Sequence, residues 1–305
     1  MKKIKKHPGN TPSQSHFLDL PLRSSSHKGF VNRITKSRLL NIPIANLNYH
    51  GFVNQITYWA NKREHRFIGV CNVHSITSAA WTPQLKEALL KADLNTADGI
   101  PLVWAQKLLG HRKASRVYGP TLMLHTLERA EKNNLRVAFY GGHPERLPIL
   151  LENLRKRFPK LNIVEAISPP FRPLTHKEDQ EFTQCLIDSQ AQIIWVGIGC
   201  PKQETWMLEH SPKIQGVMIG VGAAFDFHAG AIKQSPAYLQ KIGLEWAYRL
   251  YCEPRRLFLR YLTTNPIFLL RMAVQLTSKF FLKHNYICPH KDRYSRTKNG
   301  IKEFN

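Results

Sequence analysis

A glycine-rich stretch between residues 195 and 204 is the part of the chain best suited to chemistry. An apolar strand ends there at Gly197 and Gly199. The helix after it opens with one proline and three polar residues: Pro201, Lys202, Gln203 and Glu204. Glycine lets a ligand approach the backbone, and free N–H groups at a helix start favour an anion such as a diphosphate. The alternative is a tight strand-to-helix turn that binds nothing.

Asp98 is the second candidate, because it follows the apolar segment 94–97 and precedes Gly99. A carboxylate at the carboxyl end of a strand can act as a general base on an attacking hydroxyl. Aspartate at such a junction also favours an Asx-turn or a helix N-cap. Position alone favours the cap.

Five arginines can bind phosphate oxygens through paired hydrogen bonds, since the guanidinium group is planar and permanently charged. They are Arg116, Arg249, Arg255, Arg256 and Arg260. A diphosphate leaving group needs such neutralisation, and the sequence contains no Asp-x-Asp pair to hold a divalent cation. We therefore predict chemistry without a metal. Ion pairing with Glu245 and Glu253, or a solvated face, is the alternative for the tail arginines.

Two further groups of residues follow predicted strands. Gly141 and Gly142 can admit a ribose or a phosphate, although a Gly-Gly pair is more often only a turn. Asp226 can accept hydrogen bonds from a nucleobase or a ribose. The dinucleotide fingerprint G-x-G-x-x-G fails after Gly197, because Lys202 stands where its last glycine should be, and no Walker A motif is present.

Apolar runs of strand length alternate with amphipathic stretches from Leu39 onward. The predicted strands are 67–71, 94–97, 136–140, 162–167, 192–197 and 217–221. The predicted helices are 51–63, 84–92, 100–109, 120–133, 145–158, 176–189 and 202–210. This alternation indicates an α/β fold with a doubly wound, mostly parallel, Rossmann-like sheet that binds ligands beyond the carboxyl ends of its strands.

The composition divides the chain into four parts. Residues 1–38 are rich in Ser, Pro, Lys and His and are predicted to be a flexible basic arm. Residues 39–235 form the predicted core, residues 236–283 a C-terminal helical appendage, and residues 284–305 a disordered basic tail.

The appendage is predicted to be broken by prolines. Helices are expected over 238–251, 255–263 and 266–283, with Pro254 and Pro266 between them. In the last helix polar and apolar side chains separate onto different faces. This pattern is equally typical of a helix in a membrane interface and of one packed on its own domain.

The formal net charge is +23, and most of it lies at the two ends. Residues 1–40 carry nine Lys and Arg against one acid, and residues 249–305 carry twelve against three. The ends are therefore predicted to meet phospholipid headgroups, a diphosphate or nucleic acid. The five scattered cysteines favour a reducing cytoplasm, and the sequence shows neither a secretory signal nor an uncharged apolar run of about 18 residues.

These motifs together resemble the bacterial glycosyltransferases of the WecG/TagA/CpsF type, which build surface polysaccharides and teichoic acid linkage units. The resemblance covers about residues 40–270. It rests on Cys71-Asn-Val-His74, Ala97-Asp-Gly99, Arg116-Val-Tyr-Gly119, Tyr140-Gly-Gly142, Gly197-Ile-Gly-Cys-Pro-Lys-Gln-Glu204, Gly222-Ala-Ala-Phe-Asp226 and Gly243-Leu-Glu-Trp246 through Arg249 to Glu253-Pro-Arg-Arg256.

The resemblance implies an inverting, metal-independent enzyme of cell-surface polysaccharide biosynthesis. It would move a hexose or N-acetylhexosamine, with N-acetylmannosamine as first choice, from a UDP-sugar to a polyprenyl-diphosphate-linked saccharide. By the same resemblance Asp98 is the general base, and Asn72 and Gln203 position the donor or acceptor. Arg116 binds near the sugar or phosphate, and Asp226 contacts the uracil.

The resemblance also implies where the enzyme works. The tail arginines would close over the diphosphate when the appendage folds onto the core at an anionic membrane surface. This is a peripheral location on the cytoplasmic face of the bacterial plasma membrane. The resemblance implies no cofactor and no nucleic-acid partner, and it leaves open whether the enzyme forms a homo-oligomer.

Several alternatives stay open. Val70-Cys-Asn-Val-His74 stands where some relatives have a Thr-x-Asn-Pro-Glu-like stretch, so the donor sugar can be N-acetylmannosamine, its uronic acid or glucose. A basic nucleic-acid-binding protein would explain the charge, but should interleave aromatics with Lys and Arg on one face. A nucleotide-dependent oxidoreductase or methyltransferase would explain the sheet, but its glycine fingerprint is missing.

Overall fold

The structure is a computed structural model, and it describes residues 34–241 and 243–285. The described part opens with an antiparallel hairpin of β1 (Lys36–Leu39) and β2 (Ile42–Ala45). The sequence interpretation had assigned residues 36–38 to the flexible arm. They form a strand instead, because alternate side chains of the hairpin are buried in the core.

A six-stranded parallel sheet lies at the centre of the described part. Its strands are β3 (Arg66–Cys71), β4 (Leu94–Ala97), β5 (Val137–Gly141), β6 (Ile163–Ile167), β7 (Ile193–Gly197) and β8 (Val217–Gly220). Their order is β4-β3-β8-β7-β5-β6. Each predicted strand is confirmed to within one residue at either end. The central strands are buried almost throughout, as expected when helices cover both faces of a parallel sheet.

Helices cover both faces of this sheet. They are α1 (Tyr49–Lys62), α2 (Val73–Ser78), α3 (Pro83–Lys91), α4 (Ile100–Leu108), α5 (Gly119–Lys132), α6 (Leu147–Arg157), α7 (His176–Asp188), α8 (Lys202–His210) and α9 (Ala224–His228). Alternation along β5 separates the two layers. Tyr140 stacks on Trp206 of α8 with ring centroids 4.2 Å apart, while Phe139 meets Phe225 of α9 at 5.8 Å. The sheet is therefore doubly wound and Rossmann-like, as predicted.

The chain ends, within the described residues, in a helical appendage of α10 (Ala237–Lys241), α11 (Glu245–Cys252) and α12 (Pro254–Asn285). α12 packs against α2, and its Phe268 and Met272 enter the same apolar cluster as the hairpin. Gln275 adds a polar contact to the turn between β1 and β2. Its Oε1 accepts from the Leu40 N–H at 2.9 Å and its Nε2 donates to the Arg38 carbonyl at 2.7 Å.

The predicted helix break at Pro266 is wrong, because α12 continues through it. Proline removes one backbone hydrogen bond, here the one to the carbonyl of Leu262. Both residues lie on the exposed side of the helix, where water can replace that bond. No helix among the described residues is long and apolar enough to cross a membrane.

The four-part division of the chain stays a prediction. Most of the predicted arm, residues 1–33, lies outside the described residues, and so does nearly all of the predicted basic tail.

Candidate active site

The carboxyl ends of β3 and β4 place Asn72 and Asp98 at the same edge of the sheet. Asn72 caps α2 through a reciprocal pair of bonds with Ser75. The Asn72 Oδ1 accepts from the Ser75 N–H at 3.0 Å, and the Ser75 Oγ accepts from the Asn72 N–H at 2.9 Å. Such a capping box fixes the first turn of α2 and the direction of the Asn72 side chain.

Asp98 does not cap the following helix, although its position alone favoured that role. The N-cap of α4 is Gly99, and no side chain bonds to the helix start. The Asp98 N–H instead donates to the Cys71 carbonyl at 2.8 Å, which extends the pairing of β3 and β4 by one residue. The carboxylate is therefore available for another role.

Arg116 is held beside Asp98 by a segment that runs along β4. The Val117 N–H donates to the Ala97 carbonyl at 2.9 Å, and the Thr96 hydroxyl donates to the Val117 carbonyl at 3.3 Å. The Arg116 Nε donates to the Asp98 backbone carbonyl, and its Nη2 lies 3.5 Å from the Asp98 Oδ1. Arg116 is thus fixed against the strand end that carries Asp98.

The third charged group comes from the appendage. Glu245 is the first residue of α11, and its Oε2 accepts from the Arg116 Nη2 at 2.5 Å. The two side chains are only 12% and 16% exposed. A carboxylate at a helix start is also favoured by the helix dipole. In the sequence, Glu245 belongs to the Gly243–Trp246 motif and is a possible partner of the tail arginines, but neither feature predicts its contact with Arg116 of the core.

These groups line a cleft of about 400 Å³ between the sheet edge and the appendage. The core contributes Asn72, His74, Asp98, Arg116 and Tyr118, and the appendage contributes Glu245, Trp246, Arg249, Arg260, Tyr261 and Asn265. The Arg116 guanidinium lies 4.4 Å from the centre of the Tyr118 ring, and that of Arg249 lies 5.5 Å from the Phe227 ring. Aromatic walls and cationic groups suit a ligand that carries both a sugar and phosphates.

Burial raises the pKa of Asp98 to about 6, although Arg116 and Arg249 oppose the rise and Glu245 adds to it. The Asp98 Oδ1 is buried, and it accepts no hydrogen bond within the part of the chain that the structure describes. Burial and the charge of Arg260 lower the pKa of His74 to about 4, so this imidazole is neutral at pH 7. The pKa of His74 lies below that of Asp98, so Asp98 is the stronger base of the two.

The end of β7 places a second polar pair near the same cleft. Gln203 and Glu204 are buried in the first turn of α8, where the Gln203 Nε2 donates to the Glu204 Oε1 at 2.9 Å. Burial raises the pKa of Glu204, and the charge of Arg260, which lines the cleft, opposes the rise. The Gln203 Oε1 and the Glu204 Oε2 accept no bond from any described residue. Both oxygens are candidates for ligand contacts.

Gly199 and Pro201 lie just before α8. Gly199 has a φ of +85°, and nothing lies within 4 Å of the place where a side chain would begin. Its backbone is therefore open to a ligand, as a strand-end glycine at a binding site requires.

Gly141, Gly142 and Asp226 do not line this cleft. A Cβ on Gly141 would lie 2.5 Å from the Gly197 carbonyl carbon, and one on Gly142 would lie 3.1 Å from the Phe225 ring. Packing within the protein thus explains both glycines. The Asp226 carboxylate accepts from Arg146 at 2.8 Å. Contacts of these three residues with a donor stay predictions.

The tail arginines are divided between different surroundings. Arg249 and Arg260 line the cleft, whereas Arg255 is exposed on α12. The side chain of Arg256 lies outside the described part of the structure. Within the residues that are described, no group of His, Cys, Asp and Glu is arranged to hold a metal ion.

A second cleft, of about 660 Å³, opens where the strand order reverses between β5 and β7. Its floor includes Gly142, Gly197 and Trp206, and the segment 169–175 forms a wall. Ligands of doubly wound sheets commonly bind at such a reversal. This wall lies in a loop without a recognisable motif, so the sequence does not predict it.

The fold and the first cleft are those of an α/β enzyme, in which carboxylates and arginines lie together at the carboxyl edge of a parallel sheet. A family model, the Glycosyl transferase WecG/TagA/CpsF family, matches residues 37–280. The chain therefore belongs to this family and is a glycosyltransferase. This confirms the predicted class over the nucleic-acid-binding and oxidoreductase alternatives.

The chain is also similar to a protein of Bacillus spizizenii. That protein is named N-acetylglucosaminyldiphosphoundecaprenol N-acetyl-beta-D-mannosaminyltransferase. The two are 28% identical over 201 residues, which is 66% of this chain and 76% of the relative.

Proposed function

We propose that this enzyme transfers N-acetylmannosamine from a UDP-sugar to N-acetylglucosaminyl-diphospho-polyprenol, with inversion and without a metal ion. The name of the Bacillus relative supports the sugar and the acceptor, and its β product requires inversion if the donor is α-linked. The observation that carries the proposal is the Asp98 carboxylate. It stands at a strand end with 18% of its side chain exposed, its buried Oδ1 accepts no hydrogen bond among the described residues, and arginines line the same cleft.

The proposed reaction is a single displacement. The acceptor hydroxyl oxygen attacks the anomeric carbon of the donor, and its proton passes to the Asp98 carboxylate. The bond from the anomeric carbon to the diphosphate breaks, and its electron pair leaves with UDP. With its pKa raised to about 6, Asp98 is a stronger base than an ordinary aspartate and is still ionised at pH 7.

The leaving diphosphate needs positive charge, and the appendage supplies it in this proposal. Arg249 and Arg260 line the cleft and are assigned to the departing phosphates. Arg255 and Arg256 are assigned to closure over them. Arg116 is held by carboxylates, so its main role is to organise the site beside the sugar.

Other residues are assigned to binding. Asn72 and Gln203 position the donor or acceptor, and the Gln203 Oε1 has no partner among the described residues. Glu204, Gly199 and Pro201 form the strand-end turn beside them. Gly141, Gly142 and Asp226 are assigned to the nucleoside end of the donor.

An apolar surface of α12 supports work at a membrane. Six large apolar side chains in the described part of α12 are more than half exposed: Phe258, Leu259, Leu262, Leu269, Leu270 and Val274. Arg255 and Arg271 are exposed on the same helix. Apolar side chains with flanking cations suit an interfacial helix on anionic phospholipid. We therefore place the enzyme on the cytoplasmic face of the plasma membrane.

The test is transfer by the full-length protein from a panel of UDP-sugars to a short-chain N-acetylglucosaminyl-diphospho-polyprenol, with EDTA throughout. We expect acceptor-dependent UDP release from UDP-N-acetylmannosamine and a β-linked disaccharide product. Turnover with UDP-glucose or a UDP-uronic acid instead would show that the proposed donor sugar is wrong, while the proposed type of reaction would still hold. Activity that needs added metal would contradict the metal-free mechanism.

Asp98→Asn tests the base. We expect transfer to fall by about 10² or more while UDP binding is kept. Asp188→Asn is the matched control, because Asp188 is exposed on α7. Near-normal transfer by the Asp98 variant would refute the assignment.

A further inference from the structure

Glu245 and Asp98 share one arginine, and they share it unequally. The Arg116 Nη2 lies 2.5 Å from the Glu245 Oε2 but 3.5 Å from the Asp98 Oδ1. The Arg116 Nε is directed to the backbone carbonyl of Asp98 and not to its carboxylate. The strong charged hydrogen bond of Arg116 therefore goes to Glu245.

This division matters for a general base. A carboxylate that accepts a short bond from arginine is stabilised as an anion, so its pKa falls and it takes up a proton less readily. The Asp98 Oδ1 is buried and accepts no hydrogen bond from any described residue. It is thus left able to accept a proton.

We infer that Glu245 is a positioning residue for the transfer: by taking the short charged hydrogen bond of Arg116 it holds the guanidinium 3.5 Å from the Asp98 Oδ1, so that this oxygen accepts no short bond from it and can take the proton of the acceptor hydroxyl. The inference rests on the proposed function, in which Asp98 is the base. Because Glu245 belongs to α11, this arrangement exists only while the appendage is docked. Docking thereby prepares the base as well as covering the cleft.

The charges around Asp98 support this role. The titratable groups that face it are Arg116, Arg249, Glu245, Tyr49, Tyr118 and Cys71. Burial raises the pKa of Tyr49, Tyr118 and Cys71, so these three are neutral at pH 7. The charged groups that act on the pKa of Asp98 at pH 7 are therefore the two arginines, which lower it, and Glu245, which raises it.

Removing the Glu245 charge has two effects in the same direction. It takes away a like charge near Asp98, and it frees Arg116 to approach the Asp98 Oδ1 more closely than the present 3.5 Å. Both effects lower the pKa of Asp98. The loss of a like charge and a closer ion pair of this kind shift a carboxyl pKa by about one unit or more.

The first test follows Asp98 directly, without any sugar substrate. Carboxyl ¹³C shifts of full-length protein are titrated for the wild type, Glu245→Gln and Glu87→Gln, with Asp98→Asn used to assign the signal. Glu87 is the control because it forms an exposed pair with Lys91 on α3. We expect the Asp98 midpoint to fall by about one pH unit in Glu245→Gln and to stay unchanged in Glu87→Gln.

The second test is the pH dependence of kcat/KM. The acidic limb is expected to move down with the Asp98 midpoint in Glu245→Gln, and kcat is expected to fall by about threefold or more, because a weaker base accepts the proton less readily. A fall in kcat with an unmoved acidic limb would mean that Glu245 acts only in packing, and would overturn the inference.

Glu245→Asp separates charge from docking. It keeps the negative charge, so its Asp98 midpoint should stay within a few tenths of the wild-type value. A midpoint as low as that of Glu245→Gln would overturn the inference, as would an unchanged midpoint in Glu245→Gln. The titration also distinguishes the two proposals: if the midpoint shifts as expected but Asp98→Asn still transfers sugar normally, the coupling stands and the proposed base is wrong.

Discussion

Asp98→Asn is expected to stabilise the protein at neutral pH even as it removes most of the transfer activity. Burial raises the pKa of Asp98 from the ordinary 3.8 to about 6. One pKa unit corresponds to about 1.4 kcal/mol between the two protonation states, so ionised Asp98 costs the folded state about 3 kcal/mol at pH 7.5. Asparagine resembles the protonated carboxyl in shape and charge, and avoids this cost.

The direction of the Asp98 pKa shift fixes the pH range over which Asp98 changes the free energy of unfolding. Because the folded-state pKa is the higher one, the unfolded chain loses its Asp98 proton first as the pH rises. The contribution of Asp98 to stability is therefore fully present below the unfolded pKa of 3.8 and is lost as the pH rises through about 6. The advantage of Asp98→Asn should be small near about pH 4 and reach about 3 kcal/mol at about pH 7.5.

Urea unfolding of the wild type and the variant at these two pH values measures the difference. Asp188→Asn, the exposed control, should leave the urea midpoint of unfolding unchanged at both pH values. A variant that is less stable than the wild type at pH 7.5 would refute the reasoning, since it would mean that Arg116 and Arg249 stabilise the Asp98 anion more than burial destabilises it.

Three other predictions concern a glycine between two strands, the docking of α12 and its exposed apolar side chains. Gly141→Ala should cost about 3 kcal/mol or more in urea unfolding, because its Cβ would lie 2.5 Å from the backbone of β7 at a φ of +119°. Gly110→Ala, with a φ of +99° and open space, should cost only about 1–2 kcal/mol; equal losses would contradict the packing argument. Gln275→Ala should speed trypsin cleavage of α12, because it removes two hydrogen bonds worth about 1 kcal/mol each; unchanged cleavage would mean that they do not hold the helix. Leu269→Glu should weaken sedimentation with phosphatidylglycerol vesicles by about tenfold or more, whereas Leu108→Glu, equally exposed on α4, should not; equal loss in both variants would argue against a membrane face on α12.

The sheet was predictable because its signal is local. Each central strand is a short apolar run bounded by glycine or a polar residue, as in the segment from Ile193 to Gly199. The position of Asp98 at such a boundary was enough to predict that it lies at the carboxyl edge of the sheet. The family resemblance then linked Asp98 with Arg116 and Arg249, and the structure brings all three into one cleft.

Other features depend on contacts between distant segments, and no local pattern encodes them. The sequence shows a glutamate at position 245, but its contact with Arg116 spans 129 residues. The hairpin was not predicted for a related reason: its four-residue strands are too short to show a period, and their buried side chains pack mainly on β4, α3 and α4, which are distant in sequence. For Gly141 and Gly142 the sequence cannot separate a tight turn from a ligand contact, because a close approach of two strands leaves the same glycine pair as an open binding loop.

Three of the buried polar atoms without partners among the described residues lie in or near the candidate site, where stability can be given up for function. Asp98, Gln203 and Glu204 each leave an oxygen buried that accepts no hydrogen bond within the described residues. Asp98 directly follows β4, and the other two lie in the first turn of α8. An unsatisfied buried acceptor costs about 1–3 kcal/mol, which packing elsewhere must offset. A bound substrate offers hydroxyl and amide donors that can satisfy these oxygens. The free energy that these unsatisfied oxygens cost the ligand-free protein then favours binding of the ligand. In our inference the appendage, which brings Glu245 to Arg116, keeps the Asp98 oxygen unsatisfied until that ligand binds.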